Sequence, residues 1–202
     1  AARAMLAVSS NNNTTQSLIG KLGGIPPLVM LVNKGTLEAQ ENAACTLWHL
    51  ATLRDNRALI KDANGIPPVV GMLLADGQLA PQVSAMLLMR LAEGSTKAAV
   101  AIAQAGGIPP LVRLLSVGSP ATQQMAAASI SAMASISQCR DTIANAGAIE
   151  PLIKLIWSTT MGTPETAARC LSFLAQNELD DDDVSVADED ERGGGSKEED
   201  DQ

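Results

Sequence analysis

The sequence has almost no aromatic residues: two Trp, one Phe and no Tyr in 202 residues. Folds that read single-stranded nucleic acid by stacking bases on aromatic platforms are therefore disfavoured. It is also poor in cysteine. Cys45, Cys139 and Cys170 are three, an odd number, and no two form a Cys-x-x-Cys pair. A disulfide framework and a zinc site are both disfavoured, and a reducing, intracellular compartment (cytoplasmic, nuclear or both) is expected. No uninterrupted apolar run of about 18 residues occurs, so no membrane span is predicted, and no signal peptide is visible. The Gly193–Gly195 run lies between acidic stretches rather than between a strand and a helix, so no phosphate loop is read there. The chain begins at Ala1 rather than Met, and an upstream part is expected.

What is abundant is small and aliphatic. Hydrophobic residues make up 46% of the chain. With so few aromatics, a core must be filled by Ala, Leu, Ile, Val and Met, a composition that reads as closely packed helix. Charge divides the chain in two. Residues 178–202 hold 13 acidic and two basic residues, net −11, which leaves +3 on residues 1–177 and −8 overall. The acidic segment is predicted to be a disordered tail, because dense like charge with few apolar residues cannot offset the entropy of ordering. It reads as a solubilising tail or as a ligand for a basic surface, including this chain's own. Ser185 and Ser196 each have an acidic residue three positions on, a weak pattern for an acid-directed kinase. The regular Ca²⁺-loop spacing is missing. The thin spread of positive charge over the body predicts no nucleic-acid partner.

One phrase recurs. Gly24-Ile25-Pro26-Pro27-Leu28-Val29 returns as Gly65-Ile66-Pro67-Pro68-Val69-Val70 and as Gly107-Ile108-Pro109-Pro110-Leu111-Val112. It returns in degenerate form as Ala148-Ile149-Glu150-Pro151-Leu152-Ile153. The Ile anchors lie 41, 42 and 41 residues apart, the period of a stacked helical array. A second phrase keeps register with it: Ala43–Ala51, Ser84–Ala92, Ala126–Ala134 and Ala167–Ala175. Each unit reads as three helices. The first carries Leu18 and Ile19, Leu59 and Ile60, Val100 and Ile102, or Ile143, and is ended by Gly, which accepts positive φ. The second opens on prolines, tolerated in a first turn. The third is long, with apolar residues at i, i+3, i+4 and i+7. No unit can bury its apolar faces alone, so neighbours stack.

The two phrases in register resemble the armadillo-repeat family over residues 1 to about 177. The resemblance implies an all-α, right-handed superhelix with no active site, no cofactor and no metal. Its third helices would line a concave groove for an extended segment of a partner protein. The boundaries read as 1–10 (third helix of a truncated preceding repeat), then repeats at 11–53, 54–95, 96–136 and 137–178, then the tail 179–202.

Nuclear-import adaptors of that family set Trp and Asn four apart on the third helix. The matching positions here are Arg3, Cys45, Met86, Ala128 and Arg169, and then Ala7, His49, Arg90, Ala132 and Phe173. None is Trp or Asn, which argues against a nuclear-localisation peptide. It leaves a general interaction scaffold as the leading reading and the substrate-recognition region of a ubiquitin ligase as the alternative. Arg3, His49, Arg90 and Arg169 on this ladder suit an acidic or phosphorylated segment, although solvated surface charge is the plainer reading. Cys45 and His49, four apart, could pair as nucleophile and base. No third orienting group accompanies them and the other repeats do not repeat the pair, so no catalytic site is predicted. Trp48 and Trp157 read as packing residues before binding ones.

Overall fold

The structure, a computed structural model, describes residues 12–176. The readings placed on 1–10, on Arg3 and on the acidic segment 179–202 lie outside the described residues. Among the described residues there are twelve helices and no strand. They fall into four triplets: α1 (Asn13–Lys21), α2 (Ile25–Lys34) and α3 (Leu37–Leu50); α4 (Arg54–Asp62), α5 (Ile66–Met72) and α6 (Leu79–Ala92); α7 (Thr96–Gln104), α8 (Ile108–Val117) and α9 (Pro120–Ala134); α10 (Ser137–Asn145), α11 (Ile149–Leu155) and α12 (Thr163–Ala175). Third helices stack in the order α3, α6, α9, α12, and one apolar core runs through all four triplets.

The repeated phrase is the joint between first and second helices. The left-handed residue is Gly23 at φ 76°, Asn64 at 56°, Gly106 at 76° and Gly147 at 80°. Asn is among the few non-glycine types that accept this conformation. The next residue sends its N–H back five positions to close the helix end. Gly24, Gly65 and Gly107 do so onto Ile19, Ile60 and Ile102 at 2.9 Å each, whereas Ala148 reaches the Ile143 carbonyl at 3.4 Å. The cause is steric. A Cβ at Gly107 would lie 2.8 Å from Ile102 Cγ2, 3.0 Å from the Ile102 carbonyl oxygen and 3.2 Å from Val70 Cγ2 of the preceding repeat. Where the chain carries that Cβ, the bond is longer.

The stacking face of each second helix is Ile25, Val29 and Val32, then Ile66, Val70 and Leu73, then Ile108, Val112 and Leu115. All nine are 8% exposed or less. The matching residues of α11 are Ile149 at 44%, Ile153 at 49% and Ile156 at 38%. These four faces are chemically alike and differ in whether a described neighbour covers them.

Polar hooks pin two of the three seams. Asn56 on α4, buried, donates through Nδ2 to the Gln16 carbonyl at 3.1 Å and the Leu50 carbonyl at 3.0 Å in the first triplet. Arg140 on α10, also buried, donates through Nε to the Ala134 carbonyl at the end of α9 at 3.1 Å. At the middle seam the aligned positions are Ala98 and Ala99, which have no side-chain donor.

The sequence left open which residues of the first helices turn inward, and one expectation, on Trp157, is corrected. Leu18 and Leu59 face outward, 53% and 40% exposed, while Ile60 is buried and Ile19 half-buried. Adjacent helical residues lie about 100° apart, so on a short helix packed along one face a member of such a pair can turn to solvent while the other is buried. Trp157, read first as a packing residue, is 84% exposed where α11 ends and a loop begins. Trp48 packs half-buried against the core.

Candidate functional site: the third-helix face

The third helices α3, α6 and α9 pack between neighbours and leave a narrow stripe half-open, while α12 is more exposed. In α3 the residues Ala43, Ala44, Thr46, Leu47 and Leu50 are buried, and Cys45 and His49 are half-open between them. The same register holds Met86 and Arg90 in α6, Ala128 and Ala132 in α9, and Arg169 and Phe173 in α12, each half-open or exposed. Helical period alone places such i, i+4 pairs on one face, and third-helix stacking sets the four pairs side by side. A further row, one turn earlier, was not read from the sequence: Glu41, Gln82, Gln124 and Glu165. It has the same four-residue spacing, and that was the available signal. Two of its members are amides and two are carboxylates, so the stripe is not uniformly basic.

These are armadillo repeats. The Armadillo/beta-catenin-like repeat model matches residues 11–52 and 95–135, the first and third triplets. The unmatched triplets are the ones whose second helices, α5 and α11, have seven residues against ten in α2 and α8. In the matched pair a capped step, Gly35-Thr36 or Gly118-Ser119, leads straight into the third helix. Thr36 Oγ1 and Ser119 Oγ accept the Ala39 and Thr122 N–H. An engineered protein of known structure is 30% identical, with a TM-score of 0.82 over 86% of this chain and 43% of its own. This chain therefore spans less than half the length of that relative. A second engineered protein is 29% identical, TM-score 0.82, over 92% and 78%. A designed armadillo repeat protein in complex with peptide (KR)4 is 19% identical, TM-score 0.79, over 94% and 86%. No curated protein matches the chain. The fold is the all-α, right-handed armadillo superhelix.

The charges on this armadillo stripe are partly engaged. Arg90 Nη1 lies 3.5 Å from Glu93 Oε2, and Arg57 Nη1 of α4 lies 3.7 Å from the same oxygen. Arg169 is exposed and donates through Nε to Ser131 Oγ at 3.3 Å. The His49 ring stands edge-on to Trp48 at 4.5 Å, and burial pushes its pKa down. Burial, then the Glu41 carboxylate, pushes the Cys45 thiol up, away from the thiolate. Among the described residues no three His, Cys, Asp or Glu side chains group as metal ligands, and no single described helix is long and apolar enough to cross a membrane.

Proposed function

We propose that this chain is a non-catalytic scaffold that holds an extended segment of another protein along the third-helix face, with an acidic side chain of that segment at Arg90. The observation that carries the reading is the unbroken stripe of half-open positions through four stacked third helices. The designed relative that holds (KR)4 supports peptide binding by this fold. The charge preference comes from Arg90 and Arg169, and the carboxylates Glu41 and Glu165 oppose it at the two ends of the stripe. A basic segment is the second reading, favoured by those two carboxylates. The acidic segment 178–202, net −11, is a competitor for the same arginines, held at high effective concentration by its own linkage.

Fluorescence anisotropy of the full chain with an acidic peptide, a neutral one and (KR)4 tests this. Arg90→Glu is expected to weaken the acidic peptide by about threefold to tenfold, since exposed ion contacts are worth only ~0.2–1 kcal/mol each. Deleting 179–202 is expected to tighten it at low salt. Tight binding of (KR)4 with none of the acidic peptide would replace the first reading with the second.

A further inference from the structure

Arg57 was no part of the ladder, yet the fold brings it to the edge of the stripe. A cleft of 300 Å³ opens there, lined by Arg54, Arg57 and Lys61 of α4 and by Glu93, Gly94 and Ser95 after α6. Arg90 borders it through its ion pair with Glu93. Arg57 Nη1 also donates to the Arg90 main-chain carbonyl at 3.3 Å, which holds the Arg57 guanidinium at the end of α6. Arg90 Nε is buried without a partner. Two guanidinium groups thus converge on one carboxylate oxygen, Glu93 Oε2, at 3.7 and 3.5 Å. Charge-assisted N–H···O bonds between such groups close to about 2.7–2.9 Å, so Glu93 spans the two without seating fully on either. Lys61 is engaged with Asp62 at 3.8 Å, and Arg54 is exposed at the cleft mouth.

We infer that this is an anion clamp for a phosphoryl group on a side chain of a partner protein, and that Glu93 is its resident competitor. The inference rests on the groove reading above and names one rung of it. A phosphoryl group brings about −1.5 to −2 charge and three acceptor oxygens, enough to engage Arg57 and Arg90 together where one carboxylate oxygen serves both poorly. Glu93 can leave. Its side chain is 42% exposed, it caps the C-terminus of α6, and Gly94 beside it is left-handed at φ 63°. Arg57 is held back by its bond to the Arg90 carbonyl. A protein-borne phosphate fits better than nucleic acid, since the cations converge on a single position and the next rung of the stripe is Ala128 and Ala132.

The test uses the isotopically labelled full chain, with NMR of the arginine Nε–H resonances. It is titrated with inorganic phosphate, with a short peptide bearing one phosphoserine, with the same peptide unphosphorylated, and with an oligothymidylate. Phosphate and the phosphopeptide are expected to shift Arg57 and Arg90 on one saturating curve. Glu93→Gln, a surface change, is expected to tighten both about fivefold, and Arg57→Gln or Arg90→Gln to weaken both about tenfold. An unchanged affinity in Glu93→Gln, or shifts that fall on other cationic side chains, overturns the clamp. Oligothymidylate binding more tightly than the phosphopeptide overturns its assignment to a protein partner. Should the acidic peptide still respond to Arg90→Glu while phosphate ignores Glu93→Gln, the clamp falls and the groove stands. The opposite pattern leaves the clamp and removes the groove.

Discussion

Replacing Ile108 and Ile149 by Ala, one at a time, sets identical chemistry in two environments. Ile108 is fully buried against its neighbours, and Ile149, its counterpart 41 residues on, is 44% exposed. A core Ile→Ala change costs about 2–5 kcal/mol, the sum of lost transfer free energy and the cavity left behind. At position 149 roughly half the side chain is already in water, and the void opens to solvent instead of closing into a cavity. Half of a ~1.5–3 kcal/mol burial leaves about 1 kcal/mol. A difference of ~2 kcal/mol is expected, or about 30-fold in the local opening constant. Native-state amide exchange across α8 and α11 resolves it, because it reads each helix separately where a repeat array does not unfold in two states. Equal losses at the two positions would refute the reasoning. They would mean that the α11 face is covered in solution by residues beyond 176 or by a second copy.

Gly107→Ala should destabilise the third repeat by about 1–3 kcal/mol in the same exchange experiment, since the new Cβ meets Ile102 and Val70. Cys170, whose thiol burial pushes up to about 12, should resist alkylation at pH 8 in the native chain and react in urea. Its native thiol holds a proton that the unfolded thiol releases near pH 9. Its contribution is therefore present below pH 9 and lost as pH rises toward 12, and a denaturation series from pH 8 to 11 reads the fall.

The helical triplets were legible because the Gly-Ile-Pro-Pro phrase is a local code: a left-handed exit followed by a proline-bearing first turn. Asn64 extends that code, since it does what Gly23 and Gly106 do. The positions of the half-open stripe came from the armadillo resemblance, and helical period explains why each i, i+4 pair shares a face. Which member of Leu18-Ile19 or Leu59-Ile60 turns inward was not legible, because the choice depends on the angle at which the first helix meets its neighbours. The shortening of α5 and α11 was hidden by apolar residues, Leu73-Leu74 and Ile156-Trp157, that continue past the helix end. The meeting of Arg57 with Arg90 and Glu93 was out of reach for another reason. Those groups sit 33 and 36 positions apart, and nothing in their spacing marks a pair. Only the packing of the α4 side chains on the end of α6 joins them.

The seams differ in what they resist. A hydrogen bond from Asn56 or Arg140 to a named carbonyl penalises sliding and twisting, because a small displacement breaks it. Packed methyl groups resist separation but tolerate small rotation, since dispersion is not directional. The middle seam has Ala98 and Ala99 where its neighbours have those donors. A small rotation between the second and third repeats therefore breaks no side-chain hydrogen bond of that kind, and it is the packing of α6 on α9 that holds this seam. The seam lies beside Glu93 and Gly94, at the edge of the stripe.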